Sequence, residues 1–143
     1  MDPELIETDK YILKINAEKQ FLEYLIKEGV TVDVNTVIES KKKVVKLCPG
    51  VKFYVWAEGV EFFTLTKEAR ELCATKEYLD NVLAIAFYTK NISVMLLGKV
   101  FNKINKPAVT TRIFNNRNRA RKWLNQQMQK KGNSTINISP FEL

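Results

Sequence analysis

The sequence contains no histidine. That absence removes the base of a Ser-His-Asp triad or a Cys-His dyad, and the imidazole ligand of most zinc sites. Cysteine is almost as scarce. Cys48 and Cys73 are the two in the chain, and they have neither the CxxC spacing of a zinc site nor an extracellular setting. Five glycines are few for a phosphate loop, and neither GxGxxG nor GxxxxGKS/T occurs. No apolar run approaches the roughly 18 residues of a membrane-spanning helix; the longest is Val82 to Tyr88. Met1-Asp2-Pro3-Glu4 is acidic and lacks the apolar stretch of a secretory signal. A reduced, cytoplasmic setting is therefore expected, with both cysteines packing as small hydrophobes. The carboxylates are scattered, with no pair marked out for acid–base work. The expectation is a protein that is not an enzyme and that uses neither cofactor nor metal.

What is present is the material of one ordinary domain. The chain has 143 residues, 45% hydrophobic and 27% charged, which is too apolar for a disordered chain and enough for one core. Periodicity changes along it in an informative way. Tyr11, Leu13 and Ile15 alternate as one face of a strand, Glu18-Lys19 makes a turn, and Phe21 to Ile26 is a second strand, so a hairpin is expected. Thr31 or Asp33 then caps a helix with Val34, Val37, Ile38, Val44 and Val45 as its apolar stripe. Its outer face carries Lys41-Lys42-Lys43, and Cys48-Pro49-Gly50 ends it.

Val51 to Ala57 is nearly continuously apolar, the pattern of a strand buried on both faces. Thr64 or Thr66 caps the next helix, with Ala69, Leu72 and Cys73 inward and a short second turn from Thr75 through Leu79. Phe62 and Phe63 are adjacent in the preceding loop, so at most one is easily buried. Val82 to Tyr88 is another strand, a third helix is expected from Asn91 or Ser93 to about Asn105, and Val109 to Phe114 is the last strand. A closing helix runs from Arg117 to Gln129 with Ala120, Trp123, Leu124 and Met128 on one face. The order β-β-α-β-α-β-α-β-α, with right-handed crossovers, predicts parallel neighbours in an open sheet covered by helices. Residues 1–131 are expected to form one domain and residues 132–143 a loose polar tail.

Charge is unevenly placed. Residues 1–98 hold 13 Lys/Arg and 15 Asp/Glu, whereas residues 99–143 hold 10 Lys/Arg and one Asp/Glu. The last third thus carries the whole positive excess, and Arg112, Arg117, Arg119, Arg121 and Lys122 form a candidate anion-facing patch. An acidic protein, nucleic acid or an anionic membrane surface would answer it. The alternative is the solvated start of an amphipathic helix whose Trp123 faces the core. The expected third helix spreads Ile92, Val94, Met95, Leu96, Leu97, Val100, Phe101 and Ile104 over more than one face. It could pack deeply, expose a dimerising patch, or wall a pocket.

Four stretches carry a family resemblance. They are the strand and loop leading to Thr66-Lys67-Glu68-Ala69-Arg70; Val82-Leu83-Ala84-Ile85-Ala86-Phe87; Asn105-Lys106-Pro107 leading into Thr111-Arg112-Ile113-Phe114; and Ala120-Arg121-Lys122-Trp123-Leu124. With the element order, they resemble the STAS fold of anti-sigma-factor antagonists, and more closely a family of small bacterial STAS-like, SpoIIAA-like proteins. The resemblance implies an open mixed sheet and a non-enzymatic regulatory role through a protein partner or self-association. Phosphorylatable members of the wider family carry Asp-Ser-Ser-Gly-Leu at the start of the second helix. Here the matching residues are Thr64-Leu65-Thr66-Lys67-Glu68, in which Thr66 alone keeps a hydroxyl at the modified position. Thr66 is thus a candidate phospho-acceptor, or simply a helix cap. The partner-facing surface implied by the fold comprises Thr64, Thr66 and Arg70 with Met95, Leu97 and Phe101. STAS-like folds also look similar to the lipid-binding CRAL-TRIO type in core topology, so a carrier of a small apolar ligand is the first alternative. Nucleic-acid binding through the basic last third is the second.

Overall fold

The computed structural model describes residues 3–91, 95 and 109–130. Its strands are β1 (Glu4–Glu7), β2 (Tyr11–Asn16), β3 (Phe21–Ile26), β4 (Thr31–Val32), β5 (Phe53–Gly59), β6 (Thr64–Leu65), β7 (Val82–Thr89) and β8 (Thr110–Phe114). Its helices are α1 (Val34–Leu47), α2 (Lys67–Leu72) and α3 (Arg117–Lys130), with a 3-10 turn at Tyr78–Asn81. Six strands form one mixed sheet in the order β1-β2-β3-β5-β7-β8. β1, β2 and β3 are antiparallel neighbours, and β3, β5, β7 and β8 run parallel. β4 and β6 pair separately as a two-residue parallel ribbon.

The expected hairpin, the helices at 34–47 and 117–130, and the parallel strands are all present. β1 was not expected. Leu5 on it is 62% exposed, so the strand contributes little core, and its four residues carry almost no periodicity to read. The β4–β6 ribbon was likewise read only as cap residues, because two residues show no period. The third helix expected from Asn91 or Ser93 to Asn105 and the tail at 132–143 lie outside the described residues, Met95 apart.

β5 is the centre of the sheet because both its faces are apolar. Phe53 and Val55 face one side, and Tyr54 and Trp56 the other; all four are buried. On the first side Tyr11, Leu13, Ile15 and Leu22 meet Val44 of α1. On the second, Tyr54, Trp56, Ala84, Ala86 and Phe114 meet Ala120, Leu124 and Met128 of α3. Small residues on β7 and at Ala120 let α3 sit close to the sheet. Arg117 fixes its first turn: the guanidinium donates to Glu58 Oε1 at 2.9 Å and Oε2 at 3.3 Å and lies over the Tyr88 ring. Glu58 Oε1 also accepts from the buried indole N–H of Trp56 at 3.0 Å.

α1 starts at Asp33, whose carboxylate accepts the Thr36 N–H at 2.9 Å and the Thr36 hydroxyl at 2.8 Å. Those bonds hold the Asp33 carboxyl below the usual carboxylate range. The helix ends at Cys48, and Gly50 takes φ +77°, a left-handed turn that suits glycine. Its buried stripe corrects the expected one. Val37 and Val44 point inward with Thr36 and Ser40, while Ile38 and Val45 are 39% and 40% exposed. Ile38 and Val45 each stand one position past a buried valine, about 100° around the helix, so they ride at the stripe's edge. Of the two adjacent phenylalanines, Phe63 is buried and Phe62 is 69% exposed.

Gly59 ends β5 against Phe63. A Cβ there would lie 2.4 Å from Phe63 Cε1, and Phe63 is buried in the cluster under α2 with Val32, Val37 and Ala69. Gly59→Ala is expected to destabilise the protein by about 1–3 kcal/mol through overpacking. Urea denaturation checks this, and in a Phe63→Leu background the cost of Gly59→Ala should fall.

Candidate functional site

Side chains alternate across a sheet, so residues in register on neighbouring strands form rows on one face. On the α1 face one row runs Tyr24–Ala57–Phe87–Ile113, and the row behind it runs Leu22–Val55–Ile85–Thr111. The first row lies at the carboxyl ends of the four parallel strands. In its middle the chain places alanine between two aromatic residues, which leaves a dip in the floor.

The dip is roofed at a distance. Val37 of α1, Val32 of β4, Leu65 of β6, Arg70 and Cys73 at α2, and Tyr78 form the other walls. The cavity, partly open to solvent, measures about 140 Å³. It is similar in size to an engineered apolar cavity of about 150 Å³ that stays dry and takes up benzene. A smaller void of about 60 Å³ adjoins it and shares Tyr24, Val55, Tyr78 and Ile85 as walls.

The polar groups around the cavity are few and specific. Tyr24 donates its hydroxyl to Ser40 Oγ at 3.0 Å, and Ser40 donates onward to the Val37 carbonyl at 3.0 Å. Burial pushes the Tyr24 hydroxyl well above its ordinary pKa. Burial acts likewise on Tyr78, with Cys73 and Tyr24 adding to the rise. The Cys73 thiol is pushed up to about 12 by burial alone. Lys41 of α1 lines the smaller void. Its ammonium donates to the Glu77 carbonyl at 3.1 Å and to the Tyr78 carbonyl, pairs with Asp80 at 2.6 Å, and lies over the Tyr78 ring. This corrects the reading of Lys41 as part of a solvated outer face: the turn after α2 folds back within its reach.

Arg70 is the one cation in the cavity wall among the described residues. Its Nε is inaccessible and has no hydrogen-bond acceptor among the described residues. Its neighbour Glu71 instead reaches Lys67, at 3.9 Å.

Thr66 is the N-cap of α2: its hydroxyl oxygen accepts the Ala69 N–H at 3.1 Å. Thr64 is exposed on β6. Arg70 thus lines the cavity, and Thr64 and Thr66 flank Leu65, which lines it too. Met95 is half-buried, and Leu97 and Phe101 lie outside the described residues. The basic residues are not gathered in the same way. Arg117 is engaged by Glu58, Arg112 lies over the Phe114 ring on β8, Arg121 is half-buried, and Arg119 and Lys122 are exposed along α3. Sequence reasoning missed Tyr24, Ser40, Ala57 and Tyr78. The one available signal was Ala57, a small residue closing a run of large ones in a central strand. No cluster of metal-ligating side chains occurs among the described residues, and no helix there is long and apolar enough to cross a membrane.

Residues 15–128 match the family described as Domain of unknown function (DUF7793), and the chain belongs to that family. Its fold is similar to that of an uncharacterised protein of the DUF3478 family from Shewanella loihica PV-4, which has a SpoIIAA-like fold. The TM-score is 0.55 at 11% identity, over 85% of this chain and 91% of that one. No curated protein sequence matches the chain. The SpoIIAA-like, STAS-type architecture expected from the sequence is thus the fold of this protein.

Two outcomes follow from the roof. Thr66→Ala is expected to cost about 1 kcal/mol in stability by uncapping α2, read by chemical denaturation, with faster hydrogen exchange confined to α2. With a pKa of about 12, Cys73 holds about one thiolate per ten thousand at pH 8. Burial raises the Cys48 thiol as well, but Cys48 should still be modified faster than Cys73 by a thiol-disulfide reagent at that pH; equal rates would show the Cys73 thiol to be open.

Proposed function

We propose that this chain is a non-enzymatic binding module whose ligand is a small apolar molecule held between the sheet and the α2 roof. The cavity carries this reading. Protein interiors are packed to near crystal density, so an apolar recess of benzene size departs from the usual packing and offers room for a ligand. Its walls are aliphatic and aromatic with a few oriented polar groups, the composition of small-molecule sites generally. Of the alternatives the sequence left open, the apolar-ligand carrier gains most from this geometry, and the nucleic-acid reading gains least.

A regulatory role through a protein partner is compatible with the same site. Phe62 stands 69% exposed, next to the buried Phe63, and its carbonyl accepts the Gly29 N–H at 2.7 Å. A ligand that orders the roof would therefore order the surface around Phe62 and Thr64. In this reading ligand and partner act through one element, and Thr66 serves as the cap that sets the position of α2.

Thermal unfolding with toluene as the probe tests the proposal. Wild-type protein in saturating toluene is expected to unfold several degrees higher, since a ligand that binds the folded state alone stabilises it by mass action. Ala57→Leu fills the dip, so it should raise the melting temperature of the free protein and abolish the toluene shift. No shift in the wild type, or an equal shift in Ala57→Leu, would overturn the reading.

A further inference from the structure

Resting on the reading of the cavity as a ligand site, we infer that its ligand is a monoanionic amphiphile, a medium-chain carboxylate whose head pairs with Arg70. Arg70 Nε is buried, with no acceptor among the described residues, at the wall of a cavity otherwise lined mainly by apolar groups. A guanidinium always carries its charge and presents its donors as a planar fork that fits a carboxylate. A buried donor of that kind is costly without an acceptor. The nearest acids in sequence do not supply one: Glu71 faces Lys67, and Glu68 is exposed.

The head group is a carboxylate rather than a phosphate because the wall offers one cation among the described residues. Lys41, which lines the adjoining smaller void, is already held by Asp80 and two backbone carbonyls. The N-terminal Ala69 N–H of α2 is taken by Thr66. One guanidinium balances one negative charge, whereas a dianionic phosphate would remain half compensated. The tail is short because the space is: about 140 Å³ beside Arg70, with a further 60 Å³ beyond Tyr24 and Tyr78. A chain of about eight carbons is therefore a suitable probe, its polar end at α2 and its methyl end toward α1.

The test compares octanoate with 1-octanol, which has the same chain and no charge, by calorimetric titration into the full chain. Octanoate is expected to bind at least about tenfold tighter than octanol. Arg70→Met should remove that preference while leaving octanol binding within about twofold; Arg70→Lys should keep part of it. Equal wild-type affinity for the two probes, or a preference that survives in Arg70→Met, would overturn the carboxylate inference and leave the cavity reading standing. Failure of both probes to bind would overturn the cavity reading itself. If Arg70→Met does not fold, the wild-type ratio together with Arg70→Lys decides the question.

Discussion

β5 has no face that can be given to water. Phe53 and Val55 on one side and Tyr54 and Trp56 on the other are all buried, and a strand of that kind is stable only between two covering layers. Every larger feature follows from meeting that demand. The parallel neighbours β3 and β7 require crossovers, the crossovers supply α1 and α2 for one face, and the chain must continue to α3 to cover the other.

The two layers are of unequal quality, and the difference lies in side-chain size. Under α3, Ala84, Ala86 and Ala120 allow a close approach, and the Arg117–Glu58–Trp56 network locks the helix start. On the opposite face the described residues supply a long helix, a six-residue helix and a turn. Such short pieces cannot follow a twisted sheet closely, and Ala57 does not rise to meet them. Polar ties stand beside the resulting space, Tyr24 to Ser40 at its wall and Lys41 to the turn beside the adjoining smaller void.

Much of this architecture was legible in the sequence, for a physical reason. The burial pattern of β2, the two-sided burial of β5 and the 3.6-residue stripe of α3 are imposed by water on elements long enough to show a period. β1, β4 and β6 were not legible, since strands of two to four residues, or strands exposed along their length, carry no such imprint. The site was legible only in part. Thr64, Thr66 and Arg70 could be placed near the start of α2 by resemblance. Tyr24, Ser40, Ala57 and Tyr78 come from four separate elements, and only the register Tyr24–Ala57–Phe87 brings the floor together. The basic residues of α3 show the reverse failure: a sequence cluster that looked like one patch is divided by Arg117 turning to Glu58 and Arg121 turning partly inward.

The front row of the floor lies where four parallel strands end, and each of β3, β5 and β7 is followed there by connecting chain. The amino ends of those strands, with the β2–β3 hairpin, pack under α1 as a second cluster that borders the chamber at Tyr24, Val55 and Ile85. The molecule is thereby divided into a half that keeps the fold and a half that defines what it contains. Changes in length or composition after Ile26, Gly59 or Thr89 can reshape the chamber without disturbing a buried contact of the hairpin. Homologous chains could therefore keep one scaffold while holding quite different molecules.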